Sequence, residues 1–539
     1  MNLRLLDPQS AYQLRGHAEP QPTAYVADSL LVRGEHPRTL EALDEAAAEA
    51  GFVVEHDPQG VADLALLDDP RLRDQRADLV AVWTRRVWLR PAPDGRGVHR
   101  PIDIWRLLQS YRARVAGESD RLADVALEHP VLASPITRGH PITRGHPITR
   151  GHPITRGHPI TLGHPITRGH PQESAADAGV EAYTVPGWGG RQPVSWTGPR
   201  PARSVRRRKP RPVVAILDTG VGEHPWLGPD VVTRDPEVLD TVIGLGPADP
   251  EERRRGTSDA LLGELEPDSG HGTFIAGLVH QACPDAHLLD VRLYGGSGMV
   301  TEAELLRSLQ LLALRQVLAV SGAEGLAPVD VLTMSLGYYH ELPGDAAFDA
   351  LLAGPLELLG TYGVAVVVSA GNDASSRPIY PAALAPYPGG RVADRADRVP
   401  VTAVGALNPD STVALFSNDG PWVRFLRPGA ALVSTMPTTY DAALEPSHVV
   451  TNARGETRAA LDPDDFSSGF GVWSGTSFAA PVFAGQLAAA WDATDREPEL
   501  AKRVERMREV LDGMPGRRDP EPEAGAESGS DGSSTGAGS

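Results

Sequence analysis

Four polar residues of this chain stand where a side chain could reach a cleft while its backbone stays buried. Asp218 ends the apolar run VVAILD, and His271 lies between two glycines in DSGHGTFIAG. Asn372 follows Gly371 at the end of VAVVVSAGN, and Ser477 sits in SGTSFAAPVFAG, just inside a predicted helix start. Singly, each has an ordinary structural reading: an aspartate or asparagine closes a turn, and a serine caps a helix. As a set they have a chemical one. A serine hydroxyl is a weak nucleophile until an imidazole takes its proton. The imidazole needs a carboxylate to fix its tautomer and stabilise its charged form. The tetrahedral oxyanion that follows needs a preorganised donor. Ser477, His271, Asp218 and Asn372 supply those four parts, and the chemistry is acyl transfer through a covalent serine intermediate.

Such a set works only if the fold brings it to one edge. From Pro212 to about Trp491 short apolar runs (VVAILD, HLLDVRLYG, PVDVLTMSLG, GVAVVVSAGN, VPVTAVGAL) alternate with helical patterns such as HGTFIAGLVHQA and AELLRSLQLLALRQVLAV. Continuous apolar strands between helices predict an α/β domain with a mainly parallel central sheet covered on both faces. In such sheets functional groups gather at the carboxyl ends of the strands, where Asp218 and Asn372 are expected.

The segments DTGVGEHP, GHGTFIAG, SLG, SAGN and GTSFAAPVFAG, in this order, resemble the signature segments of the subtilisin-like serine peptidases, the subtilases. The order Asp, His, Ser is the one known for subtilisin. The resemblance implies a subtilisin-like three-layer domain and hydrolysis of peptide bonds in a protein or peptide substrate, with no cofactor required. By motif it makes Asp218 the orienting carboxylate, His271 the general base and then acid, Asn372 the oxyanion donor and Ser477 the nucleophile. It makes Ser335, Leu336 and Gly337 one substrate-binding edge, and Gly296, Ser297 and Gly298 the loop before the facing edge. Calcium is a common structural ion in that family; no D-x-D-x-D-G loop is present, so calcium stays open and no metal ligand is assigned. Two segments depart from the pattern, Arg234–Asp268 and Thr438–Gly469, the second reading as an extended surface loop or hairpin. Substrate preference therefore does not transfer.

Outside that region the 539 residues read as follows. Residues 1–23 are an N-terminal arm. Residues 24–132 form a small α+β domain, with DSLLVRG, FVVEHD and LVAVWTRRVWLR as strands and RTLEALDEAAAEAG and IDIWRLLQSYRARV as helices. It is compatible with an inhibitory prosegment or with a recognition domain. Residues 133–211 are expected to be a disordered linker. They contain six in-register copies of PITRGH or PITLGH, a unit too poor in apolar surface to offset its ordering entropy. Its six-residue histidine spacing makes no metal site. The basic stretch PRPARSVRRRKPRP lacks interleaved aromatics, and with a net charge of -19 no nucleic-acid partner is expected. Residues 212–495 are the peptidase-like domain, and 496–539 a short helix with a disordered tail.

A single cysteine, Cys283, excludes an internal disulfide. With no signal-peptide pattern and no run of membrane-spanning length, the expectation is a cytoplasmic protein without a membrane partner. A lipase-type elbow is excluded because its only match, GSSTG, falls in the tail. No H-E-x-x-H supports a metallopeptidase. The surviving rival to the peptidase is a catalytically silent fold of the same type serving as a binding module. All four reacting residues are present, which favours the enzyme.

Overall fold

A computed structural model of the chain describes residues 2–13, 19–92, 102–133, 180, 183–187, 189–205, 207–246, 263–342, 350–495 and 499–518. The PITRGH repeats and the tail beyond residue 518 lie outside these. A seven-stranded sheet runs in the order Val232–Arg234, His287–Arg292, Val213–Asp218, Val331–Met334, Ala365–Ser369, Thr402–Leu407, Val423–Pro428. Every neighbouring pair in it is parallel. The central strands Val213–Asp218, Val331–Met334 and Ala365–Ser369 are buried along their length, as their apolar composition requires.

Alternation along each strand sorts the core into two layers. Ala215, Leu217, Leu332 and Val366 point to one face and pack under the helices Glu302–Val320 and Ala350–Thr361. Val214, Ile216, Val331 and Val367 point to the other, under the helices His271–Ala282 and Thr476–Ala493. The last two helices lie close together. A Cβ at Gly485 would come within 2.6 Å of Ala282 Cβ and 3.0 Å of Val279 O, so that position has room only for glycine. No helix among the described residues is long and apolar enough to cross a membrane.

The N-terminal domain is an antiparallel sheet ordered Phe52–His56, Thr84–Pro91, Ser29–Arg33, Val125–Leu127. Its helices Pro37–Glu49 and Ile104–Arg114 cover one face, through Leu43, Ala47, Leu108 and Tyr111. The other face carries Leu31 and Ala126, which join the same core as Leu305, Leu309 and Leu312 of the seven-stranded domain. The expected N-terminal arm is part of this domain, because Leu3–Leu6 pairs with Thr23–Val26. The expected strand LVAVWTRRVWLR is corrected as well. Its first part ends the helix Arg76–Val82, and only Thr84–Pro91 is strand. Leu79 and Trp83, four apart and both buried, are a helical spacing that an apolar run conceals.

The linker boundary also moves. Residues 189–205 and 207–211 are laid against the seven-stranded domain. Gln192–Pro193 pairs with Phe470–Trp473, and Trp196 stacks on Phe470 at 5.5 Å. The basic stretch is held by acids of that domain: Arg203 by Asp230, Arg207 by Asp285 and Asp492, and Arg211 by Asp285. A linker-like composition conceals these contacts, because the partners lie far away in sequence.

Buried charges join the two domains. His129 donates from Nδ1 to Glu302 at 2.7 Å and from Nε2 to Glu341 at 3.1 Å, with all three side chains out of water. Tyr338 adds a hydroxyl to Glu302 at 2.8 Å. Nearby, Glu128 accepts from Arg86 and Ser29, and Arg86 reaches Thr301, the N-cap of the helix Glu302–Val320. Burial alone would push His129 down, but Glu302 and Glu341 outweigh it and raise its pKa to about 10. Because that value lies above the ordinary 6.5, the imidazolium stabilises the fold fully below pH 6.5 and loses its contribution as pH rises through 10. His129→Ala removes the cation facing Glu302 and leaves Glu341 with Arg112 as its remaining cation, and is expected to cost about 3–5 kcal/mol. Chemical denaturation of the full chain at pH 6 measures the loss, and the gap to the parent narrows as pH approaches 10.

Candidate active site

Asp218 is the last residue of its strand, so its carboxylate emerges at the carboxyl edge of the sheet while remaining 1% exposed. It accepts from Thr219 N at 2.8 Å and from Tyr294 Oη at 3.1 Å, and its Oδ1 lies 2.7 Å from His271 Nδ1. A carboxylate only accepts, so Nδ1 carries the proton and Nε2 of the neutral ring presents a lone pair. His271 opens its helix directly after Gly270. Gly270 has φ +85°, and a Cβ there would lie 2.6 Å from Met436 Cε. Only glycine accommodates both conditions. Trp473 stands edge-on to the imidazole at 5.7 Å, and Phe478 lies against it at 5.2 Å.

Ser477 is the second residue of the helix Thr476–Ala493 and is fully buried. Four residues on is Pro481, which has no N–H to give the Ser477 carbonyl. The Ser335 hydroxyl replaces it, donating to Ser477 O at 2.9 Å. That bond ties the serine to the strand end carrying Ser335, Leu336 and Gly337. Asn372 follows the strand Ala365–Ser369, and its Oδ1 accepts from Thr476 N at 2.9 Å, which leaves Nδ2 as the donor end of the amide. Neither His271 Nε2 nor Ser477 Oγ has a hydrogen-bond partner, although both are buried. These two atoms are therefore not hydrogen-bonded to one another here.

The predicted substrate edges are occupied by the chain itself. Pro130–Ala133 lies between Met299–Thr301 and Leu336–Gly337, antiparallel to both. Ala133 pairs with Leu336 and Leu132 with Gly337, while Ala133 N donates to Gly298 O at 2.8 Å. Gly296 O accepts from Asp268 N at 2.9 Å, and Ser297 is exposed in the turn between them. The sequence reading did not identify Pro130–Ala133, whose only signal is a short apolar run before the repeats.

Asp268 was also missed. It is 2% exposed, its Oδ1 has no partner, and a Cβ at Gly298 would fall 1.6 Å from its Oδ2. The carboxylate thus lies directly behind the glycine that holds Ala133. Burial raises its pKa from 3.8 to about 7, against the opposing pull of His271 and Arg191. Cys283, by contrast, is a buried thiol pushed up to about 11 by burial at the end of the histidine helix. For Asp268 the native state holds the proton more tightly than the unfolded chain, so stability falls as pH rises from about 4 through 7. Asp268→Asn removes that penalty. Denaturant midpoints at pH 5 and pH 8.5 should favour the Asn chain increasingly, by on the order of 2–4 kcal/mol at the higher pH.

Comparison with known proteins matches this arrangement at the level of a family. The profile of the subtilase family matches residues 209–511. A thermophilic serine proteinase of Bacillus sp. (strain AK1) is 26% identical over 307 residues, 56% of this chain and 57% of that protein. An alkaline protease of Alkalihalobacillus alcalophilus is 25% identical over 249 residues, 44% of this chain and 50% of that protein. The chain spans about half the length of these curated relatives. Among solved structures, fervidolysin from Fervidobacterium pennivorans aligns at a TM-score of 0.41 and 18% identity, over 90% of this chain and 57% of that one. With the family profile covering more than half of its residues, the chain belongs to the subtilase family.

Proposed function

We infer that this chain is a serine endopeptidase. The observation that carries the reading is the buried 2.7 Å contact between His271 Nδ1 and Asp218 Oδ1, at the same sheet edge as Ser477 and Asn372. Ser477 Oγ attacks the carbonyl carbon of the scissile bond while its proton passes to His271 Nε2. Asp218 holds the ring and stabilises the imidazolium. Negative charge on the carbonyl oxygen meets Asn372 Nδ2. His271 then protonates the leaving amine, and water releases the acyl group by the reverse sequence. An extended substrate adds as a strand between Met299–Thr301 and Leu336–Gly337, the place now held by Pro130–Ala133. The same contact supports an inhibitory role for the N-terminal domain, because substrate and cleft strand compete for one set of backbone groups.

Ser477→Ala is expected to abolish casein cleavage with the fold retained, since the site needs only a small side chain. Cleavage at the parent rate would overturn the assignment and favour a silent binding module. Intact mass of the parent and of Ser477→Ala, prepared side by side, tests self-processing. Chain scission between residues 133 and 211 in the parent alone is the expected result.

Asn372→Ala should lower kcat by roughly 10²–10³, the magnitude measured for the equivalent donor in subtilisin, with little change in KM. Steady-state kinetics on a peptide ester distinguishes this from loss of ground-state binding.

A further inference from the structure

The segment Thr438–Gly469 departs from the family pattern and is rich in aspartate. Its strands Val449–Thr451 and Thr457–Ala459 form an exposed hairpin, which by itself buries little and would not fix the segment. At the root of the hairpin, Asp441 meets Asp462 and Asp464 from the returning chain, with one carboxylate oxygen of each within 4.8 Å of the others. Asp464 is 6% exposed. One of its oxygens accepts from Leu444 N at 3.1 Å, and the other, Oδ1, is buried without any hydrogen-bond partner. Asp465, next in sequence, is different: its carboxylate turns away and accepts from Ser467 N at 2.8 Å.

Converging carboxylates repel unless something positive lies between them. The other tight group of ionisable side chains, His129, His340 and Glu341, carries its own cation, because His129 is held charged and Arg112 lies 3.5 Å from Glu341. No described arginine, lysine or histidine is paired with Asp441, Asp462 or Asp464. What this cluster lacks is a cation. The donors are all carboxylate oxygens drawn from two loop stretches, which suits calcium: it takes several oxygen ligands in adaptable geometry, whereas magnesium demands a near-ideal octahedron.

We propose that Asp441, Asp462 and Asp464 bind a calcium ion that closes the base of this insertion. The ion would sit one residue from Tyr440, whose carbonyl accepts from Phe466 N at 2.8 Å, and both aromatic side chains are buried in the peptidase core. From Phe466 the chain runs through Gly469, whose carbonyl accepts from Met436 N, into Phe470–Trp473 and then to Ser477. Calcium at this place stabilises the loop that delivers Trp473 against His271, without touching the reacting groups. The proposal is independent of peptidase activity.

The test uses the full Ser477→Ala chain, freed of metal with EDTA and titrated with calcium chloride by calorimetry and thermal unfolding. At about 100 times its Kd, calcium should raise the unfolding midpoint by roughly 3–5 °C. Magnesium should do so less. The added pair Asp462→Asn and Asp464→Asn should bind one calcium fewer and lose the shift, while unfolding no earlier than the parent in EDTA because the repulsion is gone. Equal stoichiometry and equal shifts in the two chains would overturn the proposal by placing the ion elsewhere, and so would the absence of binding at 10 mM. If the double variant does not fold, Asp441→Asn alters only an exposed ligand. A Kd at least tenfold weaker then supports the site, and an unchanged Kd rejects it.

Discussion

The contact between Asp218 and His271 sets the terms for the rest of the molecule. A carboxylate at 1% exposure and an imidazole at 0% must meet within 2.7 Å, each held by its own element. Asp218 stands there because its strand ends there, and His271 because Gly270 lets its helix begin there. Everything else at the site is registered to this pair through the sheet. Val213–Asp218 is flanked by Val331–Met334 and, one strand further, Ala365–Ser369, so Ser335 and Asn372 leave the same edge in sequence. The helix Thr476–Ala493 lies in the same layer as the histidine helix and is pinned to that edge at two points, Ser335 Oγ to Ser477 O and Thr476 N to Asn372 Oδ1. The first of these pins exists because Pro481 leaves a carbonyl unpaired. A helix-breaking residue thus becomes the means of tying Ser477 to the sheet edge.

The cleft obeys a different constraint. Two strand edges, Met299–Thr301 and Leu336–Gly337, stand apart with backbone groups that need partners. Pro130–Ala133 satisfies them, and the segment is anchored just upstream by charges that have no access to water. The backbone pairing is generic and any extended chain could make it. The ion pairs are specific to this N-terminal domain and fix the register of the strand that follows them.

Much of this was legible before any coordinates. The parallel sheet could be read because uninterrupted apolar strands have few other uses, and Asp218, His271, Asn372 and Ser477 because each carries its glycines or small neighbours with it. The segment at 189–211 was not, since proline, glycine and arginine give a linker-like composition whatever the arginines touch, and their acids come from Asp230, Asp285 and Asp492. Asp268 was hidden inside a motif already assigned to His271. The carboxylate cluster was invisible to a search for a contiguous loop, because Asp441 and Asp464 are brought together by folding. Local pattern reveals elements, and it reveals a site only when the site residues lie at element ends.

The N-terminal sheet has one more implication, through the two layers that cover it. Its own helices bury one face, and the peptidase helix Glu302–Val320 buries the other through Leu31 and Ala126. Detached, that second face, together with Leu67, Leu72, Leu79 and Trp83 of the same small domain, would lose the larger half of its core and present apolar side chains to water. The unit that a sequence divides at residue 132 is therefore not divided in its cooperativity. The two parts share a core, and the free energy that holds one together is partly the free energy that holds them to each other, so they should melt as one body.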